Sequence, residues 1–233
     1  MTSIESSMQS YYAARAAEYD KVYLKAERQA DLRAMERWLP PVFAGAAVLE
    51  VACGTGYWTQ FIARSAKSIL AVDAAPETMA IAKSRIPEGK VEFLVGDAYD
   101  LSRRAEKFDA AFAGFWFSHI PTQRRESFLA GLHASLKPGA KVVFLDNFYI
   151  EGSSSPISER DGDDNTYQTR KLADGSTHRV LKNFPSEQEL NAMVARLSQS
   201  TAYKRWQYYW AFEYVLPDRD PGPSARSGPF GQL

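Results

Sequence analysis

One cysteine, Cys53, stands in 233 residues. No intrachain disulfide can form, so packing alone must hold the core, and a reducing, cytoplasmic address is expected. Histidines number three, at 119, 133 and 178; scattered in this way beside a lone cysteine they make no zinc site, and no metal is expected. No segment offers the ~20 apolar residues of a membrane span. The N-terminus lacks the basic and then apolar run of a secretory signal. Neither charge sign is in excess, since 28 Lys and Arg face 28 Asp and Glu. That balance leaves no electrostatic footprint for wrapping nucleic acid or lying on an anionic membrane. A small neutral or amphiphilic partner is expected instead. Internal repeats are lacking too, and the length suits one α/β domain with ample core.

Among what is present, the run Val48-Leu49-Glu50-Val51-Ala52-Cys53-Gly54-Thr55-Gly56 says most. An apolar stretch from Ala46 to Ala52 breaks at a glycine turn, as a parallel strand does when covered on both faces and delivering its backbone to a ligand. Glycine lets that backbone approach closely. Trp58, Phe61, Ile62 and Ser65 then recur at helical spacing, so the unit reads strand, turn, helix. A dinucleotide fingerprint read from Gly54 would need Gly or Ala at 59, where Thr59 stands. No Gly-Lys-Ser or Gly-Lys-Thr follows, which rules out a Walker loop.

Four more strand-like segments follow in order. Ser68 to Asp73 ends in a carboxylate seventeen positions after Gly56, placed to accept hydrogen bonds from ribose hydroxyls. Val91 to Ala98 ends in Asp97, placed to accept from an adenine amino group, with the Ala98 N–H beside it. Phe108 to Gly114 and Lys141 to Asn147 complete the set, the latter behind the turn Lys137-Pro138-Gly139. Such alternation of strands and helices implies a doubly wound, mostly parallel α/β sheet around an adenosine-containing ligand.

In this order of motifs the chain resembles the class I S-adenosylmethionine-dependent methyltransferases, and within them the small-molecule enzymes of quinone and secondary-metabolite type. The segments that carry the resemblance are Glu50 to Gly56, Ala71 to Ala74, Val95 to Ala98, Phe108 to Phe112 and Leu136 to Ala140. Ala52 departs from the family's commonest pattern, which has the first glycine of the turn there. The resemblance implies a Rossmann-like, seven-stranded fold with S-adenosyl-L-methionine as cofactor and a small-molecule methyl acceptor as partner. It assigns Gly54 and Gly56 to close approach of the cofactor's methionine and ribose parts, with Glu50 shaping the loop. Asp73 would hold the ribose, Ala74 and Met79 line the adenine pocket, Asp97 and Ala98 read the adenine edge, and Phe115 sit near the sulfonium.

The residues ahead of the first strand read as helices, and a helical lid over 1–44 is expected. Tyr11, Tyr12, Arg15 and Tyr19 fall at three- and four-residue spacings, so one helix face could present them to the cleft. Of these, Tyr11 and Tyr19 are taken as cofactor contacts by the same resemblance. After the fourth strand, His119 is the candidate catalytic residue, an imidazole able to take a proton from an acceptor. Its competing role is a histidine satisfied by a backbone carbonyl. Trp116 and Phe117 are expected to wall the pocket, and His133 and His178 to be solvated.

The cofactor core is expected over 45–149 and a substrate-side segment over 150–216, with a tail at 217–233 rich in Pro, Gly and Ser and expected to be disordered. The substrate-side segment reads as a long polar loop containing Asp163 and Asp164, an inserted hairpin about Ala173-Asp174-Gly175-Ser176, a helix from Pro185 to Leu197, and one strand from Tyr203 to Val215. Two alternatives stay open on these residues. One is a nicotinamide-dependent oxidoreductase, disfavoured by Thr59 and the Gly96-Asp97 strand end. The other is a non-catalytic module that binds S-adenosylmethionine.

Overall fold

Two helices lead into the sheet, α1 (Ser3–Arg15) and α2 (Gln29–Val42), joined by 3-10 turns at Ala16–Leu24 and Ala26–Arg28. They belong to a computed structural model that describes residues 3–87, 89–101 and 107–218. In α2, Leu32, Met35 and Leu39 recur every three or four positions and are fully buried, which sets the face laid on the sheet.

The apolar runs then become β1 (Ala47–Val51), the single helical turn α3 (Thr59–Ile62), β2 (Ser68–Asp73), α4 (Pro76–Arg85), β3 (Val91–Val95), β4 (Phe108–Gly114), α5 (Arg125–Ala134) and β5 (Leu136–Asn147). Pro76 at the first turn of α4 suits a helix start, because that N–H needs no intrahelical partner. Beyond β5 lie β6 (Glu159–Arg160), β7 (Thr166–Lys171), β8 (Thr177–Leu181), α6 (Glu187–Val194), β9 (Ser200–Arg205) and β10 (Tyr209–Val215). Ser186 and Glu189 form a capping box that fixes the start of α6.

The main sheet runs β3-β2-β1-β4-β5-β10-β9, parallel through β5 and antiparallel at β10 and β9. Side chains alternate along the strands. Val48, Ala110, Phe112, Val143 and Leu145 meet α2 and α3 on one face, while Leu49, Val51, Ala111, Val142 and Phe144 meet α5 and α6 on the other. The chain leaves β1 for β2 on one side and later for β4 on the other. This reversal opens a crevice at the carboxyl ends of the strands.

Two expectations need correction here. The single strand from Tyr203 to Val215 is a hairpin, broken at Trp206-Gln207-Tyr208 and closed by Trp206 N–H donating to Tyr209 O at 2.9 Å. The turn resets the alternation, so Trp210, Phe212 and Tyr214 face α5 and α6, while Trp206 packs edge-on against Trp38 of α2 at 5.4 Å. The polar loop also contributes β6, which pairs with β7 to make a three-stranded sheet with β8. Asp161 organises that corner by accepting from the N–H groups of Asp163 and Asn165, whereas Asp163 and Asp164 stay exposed. The tail expected to be disordered lies, from 219 onward, outside the described residues. Among the described residues no helix is long and apolar enough to cross a membrane.

Candidate active site

The turn after β1 holds three residues at positive φ, Ala52 (55°), Gly54 (56°) and Gly56 (72°). A Cβ on Gly54 would meet nothing within 4 Å, whereas one on Gly56 would stand 3.0 Å from the Ala82 Cβ of α4. Gly54 therefore leaves open space for a ligand, and Gly56 serves helix packing. At the end of β2, Asp73 Oδ2 accepts from Gly54 N–H at 2.8 Å and Oδ1 from Ala75 N–H at 2.9 Å and the Thr78 hydroxyl at 3.0 Å. Burial pushes this carboxyl upward in pKa while those donors pull it down. Asp97 Oδ1 accepts from Tyr99 N–H at 2.9 Å, which fixes the carboxylate at the end of β3.

These strand ends line a largely apolar cavity, the form that small-molecule sites take. Of the expected residues, Gly54, Asp73, Ala74, Asp97, Ala98, Phe115, Tyr19 and His119 line it. Its roof comes from the N-terminal segment, where Gln9 Nε2 donates to Ala74 O at 2.9 Å across the rim. Tyr11, Glu50, Gly56 and Met79 do not line it. Met79 is packed in the layer with α2 and α3. Glu50 lies beneath the turn, 1% exposed, with Oε2 unpartnered and its pKa pushed by burial up to about 8. Tyr11 turns onto the small sheet among Tyr167, Val180 and Leu181, with its ring 5.2 Å from His178. Successive helix positions point about 100° apart, and Tyr12 takes the cavity side instead.

A second cavity adjoins the first, and Tyr12, Tyr19, Phe115 and His119 line both. Phe115 holds φ 57°, its N–H donating to Leu145 O at 2.7 Å and its ring stacked at 6.0 Å on Trp58. His119 is buried with both ring nitrogens engaged. Nδ1 lies 2.5 Å from Leu181 O, a pure acceptor, so Nδ1 carries the proton and Nε2 accepts from the Tyr12 hydroxyl at 2.8 Å. Burial, then the charges of Lys182 and Arg170, hold its pKa well below the usual histidine range. His119 is thus a neutral acceptor capped by Tyr12. Tyr19, desolvated beside it, has its pKa pushed up to about 12.

Behind the second cavity, Lys182 Nζ donates to Asp146 Oδ1 at 2.7 Å and the Ser118 hydroxyl at 2.6 Å, all three buried. Trp116 walls the first cavity, but Phe117 belongs to the core and stacks on Phe144 at 4.6 Å. His133 and His178 are half-buried, and each has a hydroxyl partner. His133 Nε2 meets the Tyr214 hydroxyl at 2.7 Å and burial lowers its pKa to about 4, while His178 meets the Ser176 hydroxyl at 2.8 Å. In the sequence Tyr12 is one of several residues on a helix face, and Arg28, Gln168, Arg170 and Lys182 carry no signal of a site. These come from separate segments with no shared motif, so only the fold shows that they meet.

A family profile described as a methyltransferase domain matches residues 48–139. Magnesium-protoporphyrin O-methyltransferase from Rhodobacter capsulatus is 43% identical over 129 residues, covering 52% of this chain and 58% of that protein. The chain spans about half the length of the curated relatives it matches. Solved structures extend the likeness to nearly the whole chain. The DhpI-SAM-HEP complex has a TM-score of 0.77 at 30% identity, covering 93% of this chain and 100% of that one, and the DhpI-SAH complex has 0.76 at 29%, covering 93% and 98%. The chain belongs to the class I S-adenosylmethionine-dependent methyltransferases. Its cofactor is S-adenosylmethionine, and the residues fit that molecule. This methyltransferase offers an open Cα at Gly54, carboxylates at the ends of β2 and β3, and a largely apolar cleft between them.

Proposed function

We propose that this methyltransferase carries the methyl of S-adenosylmethionine to a small-molecule acceptor seated in the second cavity, and that it works in the cytoplasm, where Cys53 stays a thiol. The observation that carries this is the meeting of two cavities at Tyr12, Tyr19, Phe115 and His119. Asp73 would receive a ribose hydroxyl on the Oδ2 lone pair left beside Gly54 N–H, Asp97 and Ala98 the adenine edge, and Gly54 the chain of the methionine part. Bound there, the cofactor supplies a methyl on cationic sulfur, which the acceptor atom takes in line as the C–S electron pair returns to sulfur. The protein aligns the two partners and excludes water, effects worth up to about 7–11 kcal/mol at ideal geometry.

Phe115 is the wall between donor and acceptor. Its left-handed backbone is costly for an aromatic residue, as at sites where position matters more than local stability. His119 reaches an acceptor only through Tyr12. Its part is to orient the Tyr12 hydroxyl at the junction.

Calorimetric titration with S-adenosylmethionine and S-adenosylhomocysteine, with NADH and NADPH as controls, tests the cofactor half. Micromolar binding of the first pair alone is expected. Asp73→Ala should weaken it by about tenfold to a hundredfold, a charge-assisted bond being lost. Equal affinity in that variant, or binding of the nicotinamide cofactors, overturns the assignment.

A further inference from the structure

Five of the residues lining the second cavity are cationic, Arg15, Lys25, Arg28, Arg170 and Lys182, and none is acidic. Lys182 is neutralised by Asp146. Among the described residues, no carboxylate makes an ion pair with the other four. Arg28 is only 6% exposed; its Nε and Nη2 reach the Ser153 hydroxyl at 3.1 and 2.9 Å, and its guanidinium lies over the rings of Tyr208 and Tyr209. Arg170 is held by Gln168 Oε1 at 2.7 Å and lies 6.0 Å from the Tyr11 ring centroid. Arg15 donates to the Tyr11 hydroxyl at 3.0 Å and lies over Tyr19. Glu27 accepts from the Ser153 hydroxyl at 2.9 Å, so its exposed carboxylate reaches Arg28 only through that hydroxyl.

Guanidinium groups withdrawn from water without a counter-ion are costly, and here neutral hydroxyl, amide and aromatic groups orient them. We infer that this cavity selects a small acid, holding its oxyanion between Arg28 and Arg170 with Arg15 and Lys25 adding to the field. The inference rests on the proposed seating of the acceptor in this cavity. Even with the cofactor's own carboxylate placed on Arg15, Lys25, Arg28 and Arg170 remain for the acceptor. Forked guanidinium donors favour an anion with several oxygens, such as a phosphate, phosphonate or carboxylate. The neutral or amphiphilic partner expected from the overall charge balance is thereby replaced by an anionic one.

The test begins with the full chain saturated with S-adenosylhomocysteine, so that the cofactor's carboxylate is already in place. Inorganic phosphate is then titrated, with chloride at matched ionic strength as control. Saturable phosphate binding is expected, weakened about tenfold or more in Arg170→Gln and in Arg28→Gln, each removing a charge-assisted contact. Affinity for S-adenosylhomocysteine should stay within about threefold in both variants, which shows that they fold. A turnover screen pairing small phosphonic and carboxylic acids with their neutral alcohols and amides should give methylation of the acids alone. Phosphate that binds no better than chloride, variants that bind it like the parent, or equal turnover of neutral partners overturns the inference and leaves the cofactor site standing. Failure of S-adenosylhomocysteine itself to bind removes the proposed function, and the inference with it.

Discussion

Ala52 holds φ 55° on the rim of the first cavity, in the left-handed region where a β-carbon costs about 1–2 kcal/mol. Glycine occupies this place in the family's commonest pattern, so the departure noted in the sequence marks a physical strain. Replacing Ala52 with glycine should relieve it, less the entropy that glycine adds to the unfolded chain, for a net gain of up to about 1 kcal/mol. For a chain of this length such a gain raises Tm by about 2–4 °C. A melt that shows no rise, or a fall, would mean that contacts of the Ala52 methyl offset the strain. The sequence displayed the residue and its oddity; only the backbone angle gives the sign. His119 shows the opposite case. Its type and place after β4 pointed to a base, yet its surroundings, a carbonyl on one nitrogen and Tyr12 on the other, come from β8 and α1 and could not be read from its own neighbours.

The N-terminal segment is latched to the sheet through three elements. Asp20, in the 3-10 turn after α1, accepts from the Thr55 hydroxyl of the glycine turn at 2.6 Å and pairs with Arg85 at the end of α4, whose Nη1 also donates to Thr55 O at 2.9 Å. The pair is half exposed, so its worth to global stability is at most about 1 kcal/mol. Its position, however, couples the roof of the cavity to the turn that Gly54 opens. Asp20→Asn should therefore weaken S-adenosylhomocysteine binding by about fivefold to tenfold while moving Tm little. A lowered Tm with unchanged binding would make the contact merely structural. Sheet and core helices were legible at this scale because their periodicity is strong and their turns carry Gly and Pro. The β9–β10 hairpin was not, since Trp206-Gln207-Tyr208 turns without either residue and aromatics stand on both sides of the break.

Across the whole molecule, equal numbers of acids and bases conceal their segregation. The cations of the second cavity lie on α1, the turns before α2, β7 and the position just after β8, too far apart in sequence to form a run. The same blindness applies to buried ionisable groups, and their proton balance predicts how stability follows pH. His119 and His133 are held below the usual histidine pKa, so below pH 6.5 the unfolded chain binds more protons and acidification destabilises the fold. Glu50 acts in the other sense. Its folded pKa is raised from 4.5 to about 8, so between these values the folded chain keeps a proton that the unfolded chain has lost, and stability falls as pH rises. Below about pH 7.5 the histidines oppose this trend, whereas Asp73, its carboxyl also raised by burial, acts in the same sense as Glu50. Only above about pH 7.5 are both histidines almost fully neutral in either state, which leaves Glu50 as the main difference among these groups at about pH 7.5–8. Denaturant unfolding across that window should show stability declining by up to ~1.4 kcal/mol per pH unit, the full slope of one proton. Glu50→Gln keeps the shape and removes the titration, so its profile should rise as the histidines lose their protons and then level off with no decline at about pH 7.5–8. An equal decline in that variant would mean that another group carries the proton and that Glu50 is ionised beneath the turn.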